Sequence, residues 1–113
     1  MPELIDTHVH LDDMRLYSQL EQVLDFAVKN NVTKMINIGH NRESSIASVS
    51  LASNHANIWA AVGFHPHSAK DLDKHCIQLL KELASDPRVV AIGEIGLDYH
   101  YDLSPRDIQK QVF

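Results

Sequence analysis

Hydrophobic residues are concentrated in four short segments, at residues 4–9, 34–38, 58–62 and 89–95. The segments are mostly apolar and partly β-branched, which is typical of strands buried on both faces of a parallel sheet. We therefore predict four parallel strands at these positions.

The segments between the predicted strands have helical periodicity. Apolar residues recur three or four positions apart over residues 16–30 and 71–84, and more weakly over 43–54. Ser104 and Pro105 predict the start of another helix, with the serine as its N-cap and the proline in its first turn. The chain is thus expected to contain four βα units, with the sequence ending inside the fourth helix.

Two α/β architectures fit this alternation. One is a complete doubly wound sheet, and the other is half of a TIM-type (β/α)₈ barrel, which usually has about 250 residues. No GxGxxG or GxxxxGK[ST] motif follows a predicted strand, which counts against the common nucleotide-binding doubly wound sheets. Both architectures place ligand sites at the C-terminal ends of the strands, so the polar residues there are the candidate functional residues.

The first of these candidates are His8 and His10, at the end of the first predicted strand. Residues i and i+2 of a strand point to the same face, so both imidazoles can approach one metal ion. Eight histidines among 113 residues would give about 0.6 such pairs by chance, so the spacing alone is weak support. Metal ligation and ordinary hydrogen bonding both remain open for this pair.

Glu94 favours the metal interpretation. It is predicted to lie inside an apolar strand, where an unpaired carboxylate would cost several kcal/mol to bury. That strand contains no Lys or Arg to compensate the charge, whereas a bound cation would do so. The neighbouring Gly93 and Gly96 suit a close approach of another backbone.

A second HxH pattern, His65-Pro66-His67, follows the third strand and predicts a stiff loop above the sheet edge. Contact with a substrate or phosphate is plausible for His65, and a capping role in the loop is equally so for His67. The thiol of Cys76 lies on the apolar face of a helix and is expected to be packed there. Four further histidines are scattered and are interpreted as ordinary residues: His40, His55, His75 and His100.

The composition limits the function classes. A chain of 113 residues is expected to form one small domain, and its formal net charge of −5, without a basic stripe, argues against nucleic-acid binding through a cationic surface alone. No apolar run approaches the ~20 residues of a membrane helix. A single cysteine excludes an internal disulfide and suits a reducing cytoplasm.

Three motifs in order resemble the TatD family of metal-dependent deoxyribonucleases: IDTHVHLD at residues 5–12, GFHPH at 63–67 and AIGEIGLDY at 91–99. The resemblance implies a (β/α)₈ barrel of the amidohydrolase-like metallohydrolases. It covers about the first half of a family member, so residues 1–113 are expected to be a partial barrel domain truncated in its fourth helix.

The resemblance also implies roles for particular residues. His8 and His10 match the paired ligands of one metal, Glu94 matches a catalytic carboxylate that bridges two metals, and His65 matches a histidine near the scissile phosphate. The implied reaction is two-metal hydrolysis of DNA phosphodiester bonds, with Mg²⁺, Mn²⁺ or Zn²⁺ as cofactors. The family's two further histidines and an aspartate come from later strands, so they have no counterparts in these 113 residues.

Alternatives therefore remain open. We expect little nuclease activity from this chain alone, which is a truncated product, a segment completed by the missing half-barrel, or one of two paired copies. Another amidohydrolase-like metallohydrolase, acting on amides, lactones or nucleobases, could share the first HxH pattern. A non-catalytic fragment is the third possibility, and it predicts no tight metal binding.

Overall fold

A computed structural model describes all 113 residues, as four strands, five α-helices and one 3₁₀ helix. In chain order these are β1 (Leu4–Val9), α1 (Met14–Tyr17), α2 (Leu20–Lys29), β2 (Val32–Ile38), α3 (Arg42–Asn54), β3 (Ile58–Val62), the 3₁₀ helix (Pro66–Asp71), α4 (Lys74–Ala84), β4 (Val89–Ile92) and α5 (Arg106–Val112). None of the helices is long and apolar enough to cross a lipid bilayer.

The strands form one sheet in the order β1-β2-β3-β4, and every neighbouring pair is parallel. Each strand thus pairs with the next one along the chain after a helical crossover. A doubly wound sheet instead reverses its strand order at a switch point, so that architecture is excluded. Successive parallel pairing is the arrangement of a (β/α)₈ barrel, and the four predicted βα units are confirmed.

The predicted bounds of β1 and β3 agree with the structure, whereas the other two strands differ. β2 begins at Val32, two residues earlier than predicted. The prediction that the fourth strand reaches residue 95 is wrong, because β4 ends at Ile92. Beyond it, the Gly93 N–H still donates to Val62 O on β3 at 2.9 Å, but the Glu94 N–H donates to Gly39 O beyond β2 at 2.6 Å. The chain therefore leaves β3 at this point, and Glu94 lies beyond the strand rather than inside it.

This change of direction depends on a glycine that the sequence analysis did not single out. A Cβ atom on Gly63 would lie 2.9 Å from the carbonyl carbon of Gly93, too close for any side chain. A Cβ on Gly93, by contrast, would meet no atom within 4 Å. The close backbone approach predicted around Glu94 therefore occurs, but Gly63 is the residue whose missing side chain permits it.

Two predicted helices differ from the structure in their bounds. The helix predicted over residues 16–30 is divided into α1 and α2. In the segment predicted as helical over 71–84, α4 starts only at Lys74, where the Asp73 side chain accepts a hydrogen bond from Cys76 N–H at 2.8 Å. The start of α4 therefore follows the position of its capping carboxylate rather than the first residue of the apolar periodicity.

Ser104 is not the N-cap of the last helix, contrary to the prediction. Pro105 occupies that position, and the Ser104 side chain is buried against the 3₁₀ helix. Its hydroxyl donates to His67 O at 2.9 Å and accepts from Lys70 N–H at 3.1 Å. Tertiary hydrogen bonds therefore replace the local capping bond.

Burial differs between the inner and outer strands. β3 is buried over most of its length, as predicted. The same prediction is wrong for the outer strands: Leu4 and Ile5 of β1 are 50% and 56% exposed, and Val90 and Ile92 of β4 are 51% and 57% exposed. Each outer strand has a neighbour on one side only, so part of its apolar surface stays uncovered. The core contains Leu11, Met35, Leu51, Ala52, Ile58 and Ala60.

The one fully buried amide side chain of the sheet, Asn37, joins three elements. Its carbonyl oxygen accepts the Leu11 N–H at 2.6 Å. Its amide group donates to Asp12 Oδ1 at 2.9 Å and to Ser48 Oγ, on α3, at 2.8 Å. Asn37, on β2, thereby holds the residues directly after His10 against β2 and α3.

Replacing Asn37 by leucine should lower the free energy of unfolding by at least about 2 kcal/mol, because the buried Leu11 N–H loses its acceptor. The matched change Asn54→Leu removes an exposed amide that bonds only to Ser50 O, and should change stability by no more than about 0.5 kcal/mol. Urea unfolding followed by the fluorescence of Trp59 measures both. Equal stabilities for the two variants would contradict this account of Asn37.

Candidate metal centre

The candidate residues meet at the C-terminal edge of the sheet. His8 belongs to β1 and His10 directly follows it, while His65 and Glu94 follow β3 and β4. In parallel strands these ends lie side by side, so residues distant in sequence become neighbours. The backbone continues to link the loops here, since His65 N–H donates to His40 O at 2.9 Å.

His8, His10 and Glu94 form a compact group of possible metal ligands. One nitrogen or oxygen from each lies within 4.8 Å of the others. His8 Nε2 is 3.5 Å from Glu94 Oε2. Two ligands held at about 2.1 Å from a tetrahedral ion lie about 3.4 Å apart, so this spacing suits a shared cation. The structure thus brings the three residues together, and their role as ligands stays a prediction.

A backbone hydrogen bond prepares His10 for such a role. Its Nδ1 lies 3.1 Å from Ile38 O. A carbonyl oxygen can only accept, so Nδ1 carries a hydrogen, and in the neutral ring Nε2 is the nitrogen with the lone pair. Metal-binding histidines commonly have this arrangement, with the second ring nitrogen bonded to a carbonyl or carboxylate. The position of β2 therefore fixes the tautomer of a residue beyond β1.

Glu94 is less buried than the sequence predicted, since its side chain is 33% exposed. Histidine nitrogens from the other strands lie near both of its oxygens: His8 Nε2 at 3.5 Å from Oε2 and His65 Nε2 at 3.6 Å from Oε1. Both separations exceed the usual 2.7–2.9 Å of a charge-assisted hydrogen bond. Glu94 therefore needs no cation to compensate complete burial, and the observation that favours a cation is the presence of imidazole nitrogens beside this carboxylate.

A cavity of about 330 Å³ lies beside this group, and no hydrophobic residue lines it. Its lining residues are His10, Asp12, Asp13, His40, His65, His67, Ser68 and Glu94. His8 is not among them, and its side chain is 53% exposed.

His40, which the sequence analysis interpreted as an ordinary residue, lies in the wall of this cavity. The His40 ring lies 5.9 Å from that of His10, in an edge-to-face arrangement within the cavity wall. A signal was available, because Gly39-His40 directly follows β2 just as the other candidates follow their strands. Three other histidines interpreted in the same way are not among the lining residues: His55, His75 and His100.

Local electrostatics distinguish the two histidines of the HPH motif. Partial burial lowers the pKa of His65 below its usual value, an effect that the nearby Glu94 carboxylate opposes. His67 instead contacts the Asp98 carboxylate directly through Nε2. That hydrogen bond, together with those from the backbone N–H groups of His100 and Tyr101, lowers the pKa of Asp98 to about 2.

Comparison with known proteins finds relatives that match nearly the whole of this chain. The profile of a family described as TatD related DNase matches residues 5–113. YabD of Bacillus subtilis (strain 168), an uncharacterized metal-dependent hydrolase, is 40% identical over 110 residues. The 3'-5' ssDNA/RNA exonuclease TatD of Erwinia amylovora is 33% identical over 111 residues. Each alignment covers 97% of this chain and 43% of the relative.

A solved structure also matches this chain over nearly its whole length. The crystal structure of YjjV, a TatD homolog from Escherichia coli K12, superposes with a TM-score of 0.88 at 30% identity, over 96% of this chain and 43% of that one. The chain thus spans less than half the length of the relatives it matches. Its four βα units are those of the first half of a TIM-type barrel.

The depressed pKa of Asp98 predicts a loss of stability in acid. Its carboxyl titrates near pH 2 when folded and near 3.9 when unfolded. The stabilisation is therefore complete above about pH 4 and is lost as the pH falls towards 2. In Asp98→Asn and His67→Phe, the urea midpoint should fall less steeply over this range than in the unmodified chain.

His100→Ala is the matched control, because only the backbone of His100 bonds to Asp98. It should keep the full acid dependence of the unmodified chain. If all four proteins lost stability equally between pH 4 and 2, the contribution assigned to Asp98 would be refuted.

Proposed function

Because the chain belongs to the family of TatD-related DNases, we propose that it forms part of a metal-dependent nuclease that hydrolyses phosphodiester bonds in DNA. Within it, residues 1–113 are a partial (β/α)₈ metallohydrolase domain. The Erwinia amylovora relative is a 3'-5' ssDNA/RNA exonuclease, which supports a single-stranded nucleic acid as substrate.

The observation that carries this proposal is the convergence of His8, His10 and Glu94. These residues would hold one divalent cation, and Glu94, with two carboxylate oxygens, would also reach a second. Such ions lower the pKa of water and neutralise charge on a reacting phosphate. Two imidazoles with one carboxylate suit Zn²⁺ or Mn²⁺ better than Mg²⁺, which prefers oxygen ligands.

The charge of the cavity also supports a role for cations. Its wall contains three carboxylates, from Asp12, Asp13 and Glu94, of which Asp13 is paired with Arg15 outside the wall. A phosphodiester would be repelled by this wall unless bound cations reversed the local charge. Bound cations would therefore help this acidic chain to bind a polyanionic substrate.

His65 would contribute to substrate binding. Its Nδ1 accepts a hydrogen bond from His67 N–H at 3.0 Å, so the hydrogen of the neutral ring is on Nε2. That nitrogen is directed towards Glu94 and the cavity. A donor in this position would bind a phosphate oxygen next to the cation ligands.

The exposed apolar residues of β1 and β4 support a partner for the sheet. We assign this role to the remaining half of the barrel or to a second copy of this chain, because either would supply strands to the open edges. The single thiol, Cys76, is free and buried, which supports a cytoplasmic location.

Metal binding tests the ligand assignment directly. Titration of the chain with Mn²⁺ in a calorimeter should show that His8→Ala and Glu94→Gln weaken binding at least tenfold, or about 1.4 kcal/mol. His75→Ala replaces an exposed histidine of α4 and should leave the affinity unchanged. If all the variants bound Mn²⁺ with one affinity, the proposed ligand set would be wrong.

Nuclease function is tested best in a complete barrel. In the Erwinia amylovora exonuclease, we would replace the segment that this chain matches by the chain itself and keep the rest of that protein. The chimera should degrade single-stranded DNA with Mn²⁺, and His8→Ala or Glu94→Gln should slow it more than about 100-fold, the upper range for groups that merely support metal ligands.

The chain alone is the control. Little turnover is expected from it, because it lacks the further histidines and the aspartate that the family resemblance implies. A folded chimera that bound Mn²⁺ without cleaving DNA would contradict the nuclease proposal. Rapid cleavage by the chain alone, lost in His8→Ala, would instead show that the 113 residues are sufficient.

A further inference from the structure

The loops after β3 and β4 are joined by a contact between His67 and Asp98. His67 Nε2 is bonded to Asp98 Oδ2. The other oxygen, Oδ1, accepts the backbone N–H groups of His100 at 2.9 Å and Tyr101 at 3.2 Å. Both oxygens of this carboxylate are therefore engaged, and its position is set by the loop after β4.

The same His67 holds the ring of His65. Its backbone N–H donates to His65 Nδ1, so this nitrogen cannot carry a hydrogen while the bond exists. The 4.2 Å separation of the two ring centroids shows that the imidazoles are also packed against each other. The side chain of His67 thus faces Asp98 while its backbone determines which nitrogen of His65 is the donor.

A separate set of hydrogen bonds holds these loops on α5. Gln109 is 1% exposed, and its side chain accepts from Asp98 N–H at 2.7 Å and donates to Asp98 O at 3.0 Å. Ser104 bonds to the backbone of His67, as described above. These contacts fix the backbone without touching either side chain of the His67–Asp98 contact, so the loops would keep their general position without it.

We propose that His67 and Asp98 are a positioning pair for His65, holding its ring as a single tautomer with the N–H on Nε2, directed at the cavity. Asp98 orients the His67 side chain, which keeps the His67 backbone N–H aligned with His65 Nδ1. Neither residue of the pair needs to contact the substrate. The value of this arrangement for catalysis rests on the proposed function, because it makes His65 a hydrogen-bond donor to phosphate.

The test is a long-range ¹H–¹⁵N NMR spectrum of the histidine rings in the 113-residue chain, without metal or DNA, at about pH 8.5, where imidazoles are neutral. The unmodified chain should show His65 only with its hydrogen on Nε2. In Asp98→Asn a second population, with the hydrogen on Nδ1, should appear. The amide hydrogen of His67 should also exchange at least tenfold faster in this variant.

Ser104→Ala distinguishes positioning from general support of the fold. It removes two hydrogen bonds from the same loop but keeps the His67–Asp98 contact. We expect it to be less stable than the unmodified chain while His65 remains a single tautomer. Asp102→Asn, the same chemical change four residues from Asp98 in an exposed pair with Arg106, should alter nothing at His65.

His67→Phe provides a second variant, which keeps the backbone N–H but cannot bond to Asp98, and it should behave as Asp98→Asn does. A single tautomer in a folded Asp98→Asn chain would overturn the proposal, as would an equal effect of Ser104→Ala. If both Asp98→Asn and His67→Phe failed to fold, the pair would hold the fold rather than one ring, and the proposal would fail. The spectra involve no cleavage, so failure of the nuclease proposal is detected separately.

Discussion

The hydrogen bond from Glu94 N–H to Gly39 O, at 2.6 Å, is the interaction on which the candidate site depends. Regular pairing would keep the chain after β4 beside β3. This bond instead carries it across to the end of β2, towards the histidines of β1. It is possible because Gly63 has no side chain at the point where Gly93 passes. The absence of a Cβ at Gly63 thus leaves room for the backbone to pass here and bring the carboxylate near His8.

Backbone groups then decide what each histidine can do. His10 donates through Nδ1 to Ile38 O, so in the neutral ring the lone pair is on Nε2, where it would suit a cation. His65 accepts through Nδ1 from His67 N–H, which leaves an Nε2–H suited to an anion. The same side chain, held by a carbonyl in one case and an amide in the other, therefore has opposite capacities on the two sides of Glu94.

The sheet that supports this site is unevenly covered. β3 lies between two strands and is packed against α3, whereas β1 and β4 each leave one edge and much apolar surface open. The candidate ligands lie in or just beyond these two outer strands, each of which is paired on one side only. Buried contacts at the inner strands, such as those of Asn37, hold the ends of β1 and β2 together.

Local patterns in the sequence determined the alternation of strands and helices, the bounds of β1 and β3, the family, and the candidates His8, His10, His65 and Glu94. Strand hydrophobicity and i, i+2 spacing are properties of neighbouring residues, so one chain segment contains the whole signal. The tertiary structure alone decided that Glu94 lies beyond its strand and is part-exposed. It also decided that Ser104 binds the 3₁₀ helix instead of capping its own, and that Asp98 meets His67. Each of these features depends on a contact between residues far apart in the chain, whose energy appears only when the strands have paired.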